Sequence, residues 1–228
     1  QDQEVMGCDF YVMDRIRGII PRANLPPELN LSAEQTKTLC KSVIDKLIEL
    51  HQVDYRAAGL ESLGKGAGYV QRQIEGWSQR YDIATVLIHN DFRFDNIVLD
   101  LNDPQKIVGV LDWEMATLGD PLMDLGNTLA YWVEAGDDRF HQMLRRQPTH
   151  LPGMLTRREV VDYYCDRMQL CPDNWTFYEV YGMFRLAVIV QQIYFRYHHR
   201  QTRNPAFRNF WLFNHYLHWR SRRAIHKT

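Results

Sequence analysis

At 228 residues, with 45% hydrophobic and 24% charged side chains, the chain has the material for one domain or a compact pair of subdomains, which excludes a disordered or fibrous protein. A net charge of −1 hides an asymmetry: from Val180 to the C-terminus there are nine Lys or Arg and no Asp or Glu, so the rest of the chain carries −10. Cys8, Cys40, Cys165 and Cys171 lack CxxC spacing in a chain too long to need disulfide staples, and reduced thiols are expected.

The most apolar long stretch, residues 180–195, is interrupted by Arg185, Gln191 and Gln192, and no basic-then-apolar leader opens the sequence. Neither a spanning helix nor a signal peptide is expected, and the location implied is cytoplasmic.

In chain order, residues 10–13 read as a short strand running into a polar turn. A lone strand is not stable, so a pairing element upstream is expected. Residues 31–52 read as a helix, with Ser32 and Gln35 as a capping box and Leu39, Val43, Leu47 and Leu50 at helical spacing. Gly64, Gly66 and Gly68 depart from GxGxxG spacing and follow a helix and a loop rather than a strand. They are read as a flexible helix entry rather than a phosphate loop, with Val70, Ile74, Trp77 and Tyr81 sharing one face of that helix.

The runs NIVLD and KIVGVLDW, joined by LNDPQ, predict a β-hairpin. Everything beyond is expected to be helical, giving one small sheet. Asp120 would order the turn before Pro121, and Asp124 would cap the following apolar run. Thr156 and Glu159 mark a second capping box, and two aromatic-rich helices, about 174–199 and 205–224, are split by Asn204-Pro205. Aromatics in these helices, among them Tyr194, Phe195, Tyr197, Phe210, Trp211, Phe213, Tyr216 and Trp219, are expected to pack in the core rather than stack on nucleic acid. The accompanying basic charge would face the acidic remainder or an anionic substrate.

The stretch LIHNDFRFDNIVLD, residues 87–100, puts dense polar chemistry inside an apolar run. His89, Asp91 and Asn96 fit H-x-D-x-x-x-x-N, the catalytic-loop pattern of kinases, with Asn90 where an Arg is usual. Phosphoryl transfer needs a carboxylate to accept the proton of a substrate hydroxyl and, a few residues on, a neutral oxygen to hold Mg²⁺. Asp91 and Asn96 suit those roles, and Asp112 at the end of the hairpin suits a second metal ligand. His89 reads as a support of the loop. A rival metal-hydrolase site built from His89, Asp91, His198 and His199 has no further ligand spacing behind it.

Together, HNDFRFDN (89–96) and GVLDWEMATLGDPLMDLG (109–126) resemble the aminoglycoside phosphotransferase-like family of the protein-kinase-like fold, most nearly the branch found fused to acyl-CoA dehydrogenases. FYVMDRIRG (10–18) resembles the family's interlobe hinge, and YVQRQIEGW (69–77) the helix before the catalytic loop.

The resemblance implies an α+β, helix-rich C-terminal lobe with a small β-hairpin carrying the metal ligands. Residues 1–17 would be the last strand and hinge of an N-terminal lobe, and 18–228 the C-terminal lobe. The cofactors implied are ATP and Mg²⁺, and the partner a small hydroxylated substrate, with an oligomer or a fused domain possible and no nucleic acid or membrane. The backbone amide of Met13 would meet adenine, unless its side chain is simply core. Arg93 stands where many protein kinases carry a lysine on the transferred phosphate, and a solvated surface role remains open. In relatives a glycine-rich loop and a strand-borne lysine precede the hinge; residues 1–228 hold neither, so this chain alone is expected to be nearly inactive. The alternative is a nucleotide-binding module without turnover.

Overall fold

The computed structural model describes residues 14–26, 29–64, 68, 84–170, 172 and 174–226. The expected strand over 10–13, with Met13, and the whole of the glycine-led helix over 70–81 lie outside these residues.

Helix α1 (Ala33–His51) opens on the predicted capping box: Gln35 N donates to Ser32 Oγ and Ser32 N to Gln35 Oε1. Its apolar positions Leu39, Cys40, Val43, Ile44 and Leu47 are almost fully buried. Burial pushes the Cys40 thiol up to about 12, which makes it an inert packing residue.

Two antiparallel ribbons follow, where one sheet was expected. The predicted hairpin is β2 (Ile97–Leu99) with β3 (Ile107–Val110), Ile97 opposite Val110. Around it, β1 (Val86–Ile88) pairs with β4 (Thr117–Gly119), Val86 opposite Gly119 and Ile88 opposite Thr117. The stretch after the hairpin therefore holds a 3₁₀ turn (Trp113–Met115) and a strand before its first α-helix. Three residues are too few for alternation to show in sequence. Nesting one ribbon inside the other brings the β1–β2 loop, residues 89–96, against the segment after β3, residues 111–116. On the open side of β2, Ile19 pairs with Leu99 in both directions, at 2.9 and 2.8 Å. Gly18 is needed beside that pair, because a Cβ there would stand 2.3 Å from Leu99 O.

Helix α2 (Pro121–Ala130) is capped by Asp120, whose Oδ1 accepts from Leu122 N at 2.8 Å and Met123 N at 3.0 Å. This corrects the expected roles: with Pro121 at the first helical position, the residue before it is the cap, and Asp124 falls inside the first turn, fully buried. Then come α3 (Arg139–Met143), α4 (Arg157–Met168) with its predicted Thr156–Glu159 capping box, and α5 (Trp175–His198). A 3₁₀ turn at Pro205–Phe207 separates α5 from α6 (Phe210–Ile225), so the last helix starts later than expected. Arg157 braces the loop before α3, donating to Asp137 at 2.7 and 2.8 Å and to Trp132 O at 2.7 Å.

The main core joins α1, both ribbons, α2, α4 and the start of α5. Helices α2 and α5 cross backbone on backbone: a Cβ on Gly182 would lie 2.1 Å from Gly126 O. A smaller cluster of Leu186, Val190 and Leu217 ties α5 to α6, with Phe210 and Phe213 packed against it. Core packing does not extend to all the tail aromatics: Phe195, Trp211 and Trp219 are 52%, 44% and 50% exposed. A helix at the edge of a bundle buries only the stripe that faces its partner. No helix among the described residues is long and apolar enough to cross a membrane.

Candidate active site

The loop after β1 is held from below by one buried carboxylate. Asp124 Oδ2 accepts from His89 N at 2.8 Å and from His51 Nε2 at 3.1 Å, while Oδ1 accepts from Asn90 N at 2.8 Å. A carboxylate only accepts, so His51 Nε2 carries the proton between them; its other ring nitrogen meets the Tyr164 hydroxyl. Burial opposes the charge on Asp124, but the hydrogen bond from His51 and those from the loop amides outweigh it and keep the carboxyl below its ordinary range. The α1 and α4 helices thus reach the loop through His51 and Tyr164. Neither residue is singled out by sequence spacing; the one available signal was a histidine closing an otherwise apolar helical stripe.

His89 is fully buried and supports the loop as expected. Its Nδ1 accepts from Asp91 N at 3.3 Å, and its Nε2 donates to Leu111 O at 2.9 Å. With both ring nitrogens engaged, it has no lone pair for zinc. His198 and His199 lie exposed at the end of α5, and no cluster of three or more His, Cys, Asp or Glu that could hold a metal occurs among the described residues, so the hydrolase reading falls.

The half-buried Asp91 accepts from Arg93 Nη2 at 3.0 Å and from Asn96 Nδ2 at 3.2 Å. Burial pushes its carboxyl above the ordinary value, Arg93 and Asn96 pull the other way, and the charges of Asp95 and Asp112 add to the rise. Arg93 also lies 3.5 Å from Asp95 and 4.7 Å from the centre of the Tyr131 ring, so it is held against Asp91 instead of standing free in solvent.

Asn96 and Asp112 approach each other because β2 and β3 are paired: Leu111 N donates to Asn96 O at 2.8 Å. Asn96 spends its amide N–H groups on Asp91 O (2.8 Å) and Oδ2, which leaves Oδ1 for a cation. Asp112 follows β3 with φ +66 and an exposed side chain. An amide oxygen plus a carboxylate fits Mg²⁺, which takes few protein ligands and completes its shell with phosphates and water.

Asp91 and Arg93 open into a cavity of about 600 Å³ between the loop, α2, α5 and α6. Its far walls are apolar, including Leu186, Ile189, Ile193 and Phe210. Arg185 and Arg146 also line it; sequence reading assigned neither a role.

Residues 1–85 and 79–160 match the profile of the phosphotransferase enzyme family. The chain is 32% identical over 224 residues to mouse acyl-CoA dehydrogenase family member 10, covering 86% of this chain and 20% of that protein. It is 31% identical over 229 residues to mouse acyl-CoA dehydrogenase family member 11, covering 86% and 28%. Against the probable acyl-CoA dehydrogenase IBR3 of Arabidopsis thaliana it is 29% identical over 233 residues, again covering 86% and 28%. The chain therefore spans between a fifth and just over a quarter of these relatives. A crystal structure from Ralstonia eutropha, assigned to the aminoglycoside phosphotransferases, superimposes with a TM-score of 0.75 at 25% identity, over 92% of this chain and 70% of that one. With an α+β, helix-rich lobe of the kinase-like type and a family match over more than half its length, this chain belongs to the phosphotransferase enzyme family.

Proposed function

We propose that the chain carries the catalytic lobe of an ATP- and Mg²⁺-dependent phosphotransferase acting on the hydroxyl of a small molecule. The observation that carries this reading is Asp91, a half-buried carboxylate lining the cavity with Asn96 bonded to it. In the reaction the acceptor oxygen forms a bond to the γ-phosphorus as the bond to the β–γ bridging oxygen breaks, and ADP leaves. The acceptor's proton passes to Asp91. A carboxyl raised by burial is the better base for an alcohol, because proton affinity and availability are closer to balance.

Asn96 and Asp112 would hold Mg²⁺, which neutralises phosphate charge when bound. Arg93, beside the base, would meet the oxygens of the transferred group. Met13, outside the described residues, would offer its backbone amide to adenine. The apolar cavity walls suit an acceptor that presents its hydroxyl from an apolar body. The names of the relatives support a partner unit of the acyl-CoA dehydrogenase type.

The test is Asp91→Asn in the complete gene product. The expected result is a kcat lower by about 10²–10⁴ with ATP affinity unchanged, since a positioned base acts in the transition state. Near-normal kcat would remove Asp91 from this role. Tight binding of ATP with Mg²⁺ and no turnover by the unaltered protein would favour a non-catalytic nucleotide-binding module instead.

A further inference from the structure

Arg185 stands on α5 one turn past Gly182, where that helix touches the backbone of α2. The close crossing lets its guanidinium reach the β1–β2 loop: Nη1 donates to Asn90 O at 2.8 Å and to Asn90 Oδ1 at 3.0 Å. Asn90 immediately precedes the base and has φ +67. For any residue other than glycine this left-handed conformation costs about 1–2 kcal/mol, with Asn among the more tolerant, and it persists where the surroundings over-determine it.

The surroundings do so from four directions. Asn90 N is held by Asp124 at 2.8 Å, and Nδ2 donates to Met115 O at 3.0 Å. Oδ1 accepts from Asn127 Nδ2 at 3.4 Å as well as from Arg185, and the carbonyl accepts from Arg185. Asp124 and Asn127 lie on α2 and Met115 on the segment after Asp112, while Arg185 comes from the wall of the acceptor cavity.

We infer that Arg185 is a positioning residue for the catalytic loop: it fixes the Asn90 peptide in the left-handed turn that presents Asp91 to the acceptor cavity. The assignment rests on reading Asp91 as the base. Both bonds come from the two hydrogens of one terminal nitrogen, which a long side chain of permanent charge carries across the helix crossing.

The experiment compares Arg185→Met and Arg185→Lys with the parent. Amide hydrogen exchange in residues 1–228 is read by NMR, and kinetics are measured in the complete gene product. In Arg185→Met, the Asn90 and Asp91 amides are expected to exchange at least tenfold faster while α1 and α4 amides hold their rates. Arg185→Lys, which keeps the charge and serves alone if the Met variant does not fold, is expected to fall between. Kinetically, kcat drops at least tenfold in Arg185→Met with the KM for ATP unchanged, and Arg185→Lys recovers part of it. Unaltered exchange at Asn90 and Asp91, or acceleration spread evenly over α1 and α4, would overturn the inference. So would a raised acceptor KM with kcat intact, which marks a substrate-binding group. If the parent shows no phosphoryl transfer, the reading of the reaction fails, while the exchange result still decides whether Arg185 fixes the loop.

Discussion

Asp124→Asn tests whether one buried carboxylate holds the β1–β2 loop in place. The substitution keeps size and shape but replaces one acceptor oxygen with a donor. If the amide nitrogen takes the Oδ2 position, it faces His89 N and His51 Nε2, donors at 2.8 and 3.1 Å. The imidazole can answer by moving its proton to the nitrogen beside Tyr164, but the His89 amide has no such freedom. If the amide turns the other way, Asn90 N is the donor left facing a donor. Either orientation strands one buried backbone N–H, at about 1–3 kcal/mol, and strips the charge from the surviving hydrogen bonds, each weakened by about 1 kcal/mol. A total near 3 kcal/mol lowers Tm by about 6–12 °C in a domain of this size. Thermal unfolding followed by circular dichroism measures it, and exchange at the His89 and Asn90 amides localises it. A Tm within about 2 °C of the parent, with both amides still protected, would refute the claim that Asp124 anchors the loop.

Three further outcomes are expected. Asp112→Ala should weaken the Mg²⁺ dependence of both ATP binding and turnover; unchanged Mg²⁺ titrations would remove Asp112 from the metal site. Gly182→Ala puts a methyl group 2.1 Å from Gly126 O, so α2 and α5 must part, at about 1–3 kcal/mol, read as a lower urea midpoint, and an unchanged midpoint would show that the crossing yields freely. Asp137 is opposed by burial, yet the Arg157 fork and His141 hold its carboxyl well below the usual carboxylate range. A folded-state carboxyl depressed in this way stabilises fully above the unfolded value, about 3.9, and the contribution fades as pH falls below it toward the folded value. The Tm gap between the parent and Asp137→Asn should thus be constant from pH 7 to about 5 and narrow below about 4; a gap independent of pH from 3 to 7 would contradict the assignment.

What could be read in sequence was chemistry that must be local. Asp91 and Asn96 share one loop and a hydrogen bond, and the roles proposed for them act within a few ångströms of each other, so their spacing is short and recognisable. The caps at Ser32 and Thr156 were legible for the same reason, as each satisfies backbone groups three residues away. Asp124 was misread because a local rule, aspartate before an apolar helix, competed with a contact 35 residues distant that no spacing encodes. Arg185 was hidden in the same way: within an apolar run it reads only as an interruption, and its partner is 95 residues earlier. The pairing of β1 with β4 escaped because two three-residue strands carry too little pattern, although their pairing closes the loop around the site.

The distribution of tasks between ribbons and helices constrains how this site can change. Asp91 and both proposed metal ligands lie on or beside the nested ribbons, whose register is fixed by backbone pairing. The cavity beside Asp91 takes its apolar far walls from α5 and α6. If these two parts were independent, the helices could be remodelled for any acceptor without touching the chemistry. They are not independent: Arg185 on α5 and Asp124 with Asn127 on α2 grip the residue next to Asp91, and the Gly126–Gly182 crossing sets how deeply α5 sits. Ile189 and Ile193 face the same cavity from the next turns of α5 and have no tie to the loop. Substituting them should alter the KM of the proposed acceptor while leaving the Asn90 and Asp91 amides as protected as before, whereas any change that shifts α5 bodily must disturb Asp91 together with the pocket.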